Sequence, residues 1–80
     1  MKAIIHVTLK NGVLDPQGSA IKNSLGNIGL NNIDSVKQGK YFEVEISEND
    51  QNKAEEIVEK ACQTLLANTV IENYSFELVA

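Results

Sequence analysis

An α+β sandwich with the element order β-α-β-β-α-β is what the chain predicts, and three features predict it. Residues 1–9 and 70–79 alternate apolar and polar side chains with the period of a strand. Residues 54–66 place apolar groups at steps of three and one, the period of a half-buried helix. Between them, Asp15-Pro16 opens a second helical segment and residues 41–47 alternate again.

Taken in order, residues 1–9 put Ala3, Ile5, Val7 and Leu9 on one side and Ile4, His6 and Thr8 on the other. The first set is the more apolar and predicts the inward face. Asn11-Gly12 marks a turn. Asp15 is then suited to cap a helix, because its carboxylate accepts from free backbone N–H groups and faces the positive end of the dipole. Pro16 follows at the first helical position, where a missing N–H costs nothing. That helix carries Ala20, Ile21, Ser24, Leu25 and Ile28 on one face, and Gly29 predicts a left-handed C-terminal cap. Gly18 and Gly26 lie inside it, each costing up to about 1 kcal/mol relative to Ala. They mark either close approach of another backbone or fraying.

Residues 33–38 are a short strand candidate with only Ile33 and Val36 apolar, and Gly39-Lys40 reads as a hairpin turn. Residues 41–47 are a stronger strand, with Phe42, Val44 and Ile46 inward and Tyr41, Glu43 and Glu45 outward. Ser47 or Asp50 caps the second helix, whose seam is Ala54, Ile57, Val58, Ala61, Cys62, Leu65 and Leu66. Asn68 closes it, and the last strand carries Tyr74, Phe76 and Leu78 on one side. Right-handed crossovers through both helices give a four-stranded antiparallel sheet with two helices on one face, the ferredoxin-like arrangement, over residues 1–80 as one domain.

Two helices leave the other sheet face open. It should carry Ile4, His6, Thr8, Tyr41, Glu43, Glu45, Ser75, Glu77 and Val79, a mixture that is not a clean solvent face. A chain of this length buries only about 60–65% of its unfolded surface. Self-association through Ile4, His6, Tyr41 and Val79 would therefore stabilise it. A homodimer, or a dimer of dimers, is expected, by this face or a sheet edge.

Composition narrows the function. Seven Lys, no Arg and eleven carboxylates give a formal charge of −4, the wrong sign for a nucleic-acid backbone or an anionic membrane surface. A hydrophobic content of 42% is enough for a packed core and argues against disorder. One His and one Cys cannot form the multi-ligand metal sites. The lone Cys62, without a signal peptide or an apolar run long enough to span a bilayer, predicts a cytoplasmic setting.

Catalytic groups are equally scarce. Without Arg there is no guanidinium fork to cradle a phosphoryl group in the manner of acylphosphatases. Gly26-Asn27-Ile28-Gly29 has the spacing of a phosphate-clamping loop but no basic residue, and reads as a helix end. His6 has no nucleophile in the pattern around it and reads as a packing or interface residue. Cys62 lies on the helical seam, as a small hydrophobe. Glu55, Glu56 and Glu59 form a solvated helix face. The residues by themselves describe a non-catalytic module, with no catalytic, cofactor or metal residue of its own.

Longer segments carry a resemblance. Val7-Thr8-Leu9-Lys10 followed by Val13-Leu14-Asp15-Pro16-Gln17-Gly18, then Gly29-Leu30, Gly39-Lys40-Tyr41-Phe42-Glu43-Val44-Glu45-Ile46, Cys62 with Leu65-Leu66-Ala67-Asn68, and Val70-Ile71-Glu72-Asn73-Tyr74 with Phe76-Glu77 together resemble the PurS family, the small subunit of phosphoribosylformylglycinamidine synthase. Thr69 stands where the family usually has Pro, and Asn73 where Asp is common. The resemblance implies a part in the ATP- and glutamine-dependent amidation of formylglycinamide ribonucleotide in purine biosynthesis. It implies a subunit of an ATP-dependent C–N ligase that is not catalytic alone, bridges a glutaminase (PurQ) and a synthetase (PurL), and helps ammonia pass between them. ATP and magnesium would then belong to the synthetase. It implies Leu14, Asp15, Pro16, Gln17, Gly18, Lys40 and Tyr41 as contacts with those partners, although each also reads as part of a capped helix or a turn. The competing class is an ACT-like regulatory module of the same topology that binds a small molecule at a dimer interface.

Overall fold

The computed structural model describes residues 1–80. Its elements are β1 (Lys2–Leu9), α1 (Pro16–Asn27), β2 (Gly39–Glu45), α2 (Gln51–Ala61), a π-helical turn (Cys62–Leu66) and β3 (Glu72–Val79). The sheet has three strands in the order β2-β1-β3, with β1 antiparallel to both neighbours. β2 and β3 are thus parallel to each other, joined through α2 with β1 inserted between them.

This corrects the four-stranded expectation. Residues 33–38 form no strand. They are mostly polar, and their backbone is engaged elsewhere: Gln38 donates its N–H to Asp15, and the Val36 carbonyl lies against Gly18. Neither group is free to pair with β2, whose outer edge stays open. Gly39-Lys40 is no hairpin turn either, but the start of β2.

The second correction concerns α1. Its ends are as predicted. Asp15 Oδ1 accepts from Gly18 N at 2.9 Å, and Gly29 adopts φ +94°. Leu30 N donates to Leu25 O at 3.0 Å and Gly29 N to Gly26 O at 3.1 Å, the paired bonds of a Schellman cap. Yet only Gly18 of its twelve residues is buried, and the helix does not share the sheet face with α2. The long axis of the molecule is 49 Å. A strand of eight residues and a helix of twelve, laid end to end, account for roughly 45 Å of it.

The core lies between α2 and the inner face of the sheet. Ala3, Ile5 and Val7 of β1 meet Val58, Cys62 and Ala67, with Phe42, Val44, Tyr74, Phe76 and Leu78 packed around them. Asp50 caps α2 by accepting from Asn52 N at 2.9 Å. The helix does not run regularly to Asn68. It widens at Cys62, and Ala67 N bonds back to Cys62 O, five residues earlier. The extra residue turns Leu65 out, 83% exposed, and brings Ala67 in.

Candidate functional site

The inner rows of the three strands are apolar along most of their length and polar at one end. Val7 pairs with Lys40 on β2, and Leu9 pairs with Glu72 on β3. Around this end, the turn leading into α1 closes a cleft of about 370 Å³ lined by Leu9, Asp15, Pro16, Gln17, Gln38, Gly39, Lys40 and Glu72.

Each wall has a local cause. Asp15 accepts from both Gly18 N and Gln38 N, at 2.9 and 3.0 Å, so one carboxylate ties the start of α1 to the start of β2. Those N–H donors, Gln38 before Gly18, hold its carboxyl below the usual 3.8, helped by the nearby Lys37 charge. Gly18 and Gly39 allow the chains to touch: a Cβ on the first would collide with Val36 O, and on the second with Val7 O. Glu72 is buried at the base. Its Oε1 accepts from Asn68 N at 2.7 Å, closing the turn before β3, and its Oε2 lies 3.5 Å from Lys40 Nζ.

The structure brings Asp15, Pro16, Gln17 and Lys40 together at this corner and buries Gly18 beneath it. Leu14 stands beside it, 77% exposed. Tyr41 does not belong there. It projects from the other sheet face, opposite His6, with ring centroids 5.1 Å apart. Glu72 and Gln38 are site residues that sequence reasoning missed. For Glu72 the signal existed, since a carboxylate at the head of the Tyr74-Phe76-Leu78 row needs a buried partner.

Ile4, His6, Tyr41 and Val79 do share the open face. They are interspersed with charge: Lys2 Nζ sits 2.7 Å from Glu43 Oε1, and that hydrogen bond and charge raise the lysine above 10.5. No group of three or more potential metal ligands gathers anywhere in the chain. No helix is long and apolar enough to cross a membrane.

The corner therefore offers shape, amides and one ion pair between the buried Glu72 and the exposed Lys40, with no activated nucleophile. Residues 2–80 match the family model PurS, described as phosphoribosylformylglycinamidine (FGAM) synthase. The chain belongs to the PurS family. It is a subunit of that synthase, in purine biosynthesis. It is 43% identical over 77 residues to the PurS subunit of Bacillus subtilis, covering 96% of this chain and 90% of that one. The identity to the Synechocystis PurS subunit is also 43%, over 76 residues covering 95% and 76%. Among solved structures, B. subtilis PurS superposes with a TM-score of 0.90 at 42% identity, over 99% of this chain and 98% of that one. A chain in the structure of PurLQS from Thermotoga maritima matches with a TM-score of 0.88 at 33% identity, over 98% and 95%. PurS relatives thus superpose on nearly all of this chain, the outlying α1 included.

Proposed function

We propose that this PurS-family chain acts as the small, non-catalytic subunit of phosphoribosylformylglycinamidine synthase, docking with the synthetase PurL and the glutaminase PurQ in the cytoplasm. The likeness to a chain of the PurLQS structure carries the partners. The Asp15–Lys40 corner supports the mode of action: it is a cleft set by backbone hydrogen bonds and close glycine contacts, with Leu14 exposed at its rim. Such a corner recognises a surface and holds geometry.

Ammonia released by one subunit and used by another is lost if bulk water protonates it. A small subunit that seals the junction between the two preserves it as a nucleophile. ATP and magnesium belong to the synthetase in this reading, and Leu14, Gln17 and Lys40 contact the large subunits. The chain self-associates as a homodimer. Mixing it with PurL and PurQ in the presence of nucleotide and glutamine should give one co-eluting complex. Separate elution of this chain under those conditions overturns the proposal.

A further inference from the structure

Between β1 and the Asp15 corner the chain makes a tight turn, closed by Val13 N donating to Lys10 O at 3.2 Å. Asn11 and Gly12 are its two central residues, and both are exposed. Gly12 has φ +85°, with nothing within 4 Å of the place a Cβ would take. Its nitrogen donates to no other backbone group. Across the turn, Lys37 Nζ donates to Asn11 Oδ1 at 3.1 Å. The ammonium therefore rests on the oxygen of the side-chain amide.

An asparagine holds its amide carbon within reach of the next backbone nitrogen, and closure gives a five-membered ring. A following side chain hinders that closure by bulk and by restricting the backbone; glycine does neither. Of the nine asparagines, Asn11 alone precedes glycine. Gln17-Gly18 and Gln38-Gly39 carry one methylene more and are held fast. Gly18 N is bonded to Asp15 Oδ1, and Gly39 lies against Val7 O.

Ring closure at Asn11 requires rotation about its Cα–C bond. The open space around Gly12 permits this, and of the bonds across the turn only the one from Val13 to Lys10 has to give. As Gly12 N reaches Asn11 Cγ, negative charge gathers on Oδ1, the atom that Lys37 holds. A positive donor already fixed where charge develops lowers the barrier.

We infer that Asn11 is a site of spontaneous deamidation in the folded chain, with Lys37 as its positioning residue. Gly12 N gives up its proton and bonds to Asn11 Cγ. The Cγ–Nδ2 bond breaks, and Nδ2 leaves as ammonia with that proton. No electron is transferred to or from any other group. Water then opens the cyclic imide at either carbonyl. Opening at Cγ leaves aspartate; opening at the main-chain carbonyl leaves isoaspartate, with the backbone one carbon longer. Both products set a carboxylate against the Lys37 ammonium, in place of a neutral amide. The isoaspartate also lengthens the link between the Lys10–Ile71 bond and the Asp15–Gln38 bond that directs α1. The reaction needs no partner chain, so its outcome is independent of the synthase complex.

The full chain, incubated folded in warm, mildly alkaline buffer and sampled over days, tests the inference by peptide mass mapping. Residues 11–22, released by cleavage after Lys10 and Lys22, should gain about 1 Da as the amide becomes a carboxylate. Part of that product should accept a methyl group from an isoaspartyl methyltransferase. Asn11→Gln should abolish the gain in this peptide. Lys37→Ala should slow it roughly three- to fivefold, the size of an exposed charge contact. Lys37→Arg should keep the parent rate. In guanidinium chloride the parent and both Lys37 variants should react alike, because Lys37 no longer meets Asn11. A folded chain that keeps Asn11 intact while the unfolded chain reacts would overturn the inference. So would a Lys37→Ala chain that reacts as fast as its parent when folded, or an equal slowing of that variant in denaturant.

Discussion

Asp15 Oδ2 accepts the backbone N–H of Gln38 at 3.0 Å, across twenty-three residues. The same carboxylate caps α1 through Gly18 N. One side chain therefore both starts a helix and sets its direction relative to β2.

The consequence is a pH dependence. Asp15 has a folded pKa depressed below its ordinary 3.8, so its stabilising effect is complete above that value and is lost as pH falls through the folded pKa. Thermal unfolding followed from neutral pH downward should show Tm falling in acid. Asp15→Asn should lower Tm by several degrees at neutral pH and remove part of the acid slope, because its amide replaces only one of the two accepting oxygens. An unchanged slope would show that other carboxylates carry it.

The interior glycines of α1 should respond in opposite directions. Gly26→Ala meets nothing closer than Asn31 Oδ1 at 3.6 Å and should gain about 0.5–1 kcal/mol from helix propensity. Gly18→Ala drives a methyl into the Val36 carbonyl and should lose about 1–3 kcal/mol despite the same propensity gain. Gly39→Ala meets the Val7 carbonyl and should lose a similar amount. Urea unfolding of the three variants checks the order.

Tyr74 should titrate above its ordinary 10.0, chiefly because its hydroxyl donates to Glu59. A raised folded pKa places the stabilisation at pH below 10.0 and removes it as pH rises through the folded value. Ultraviolet titration in a Tyr41→Phe background isolates this group. Glu59→Gln should bring the midpoint back toward 10.0.

Gln17 lines the corner, and its side chain takes no part in the backbone bonds that Asp15 accepts. In the assembled synthase, Gln17→Ala should reduce glutamine-dependent turnover more than turnover with added ammonia. Steady-state rates with the two nitrogen sources decide it. Equal loss of both, or loss of neither, would remove Gln17 from the ammonia-transfer junction.

Much of this was legible in the residues. The alternation in β1 and β3 named the inner rows, since a half-buried strand must sort its side chains by face. Asp15-Pro16 and Gly29 named both ends of α1, because caps are local devices satisfied within a few residues. Ile4, His6, Tyr41 and Val79 share the other face, as the alternation predicts, for the same reason as the inner row. Lys40 and Tyr41, both expected as partner contacts, are parted by the pleat, because neighbouring residues on a strand point to opposite sides. Lys40 faces the corner, so Tyr41 cannot.

Local pattern determined which segments become helix or strand, how they are capped and which side of each is apolar, because those outcomes depend on groups a few residues apart. Tertiary structure alone decided that residues 33–38 stay out of the sheet, that α1 leaves the face it was expected to cover, and that Glu72 joins Asp15, Gln38 and Lys40. Each of these turns on competition for the same backbone groups or the same space by residues twenty or more positions apart. Gln38 N–H can join a strand ladder or bond Asp15, and only the folded chain shows which partner reaches it.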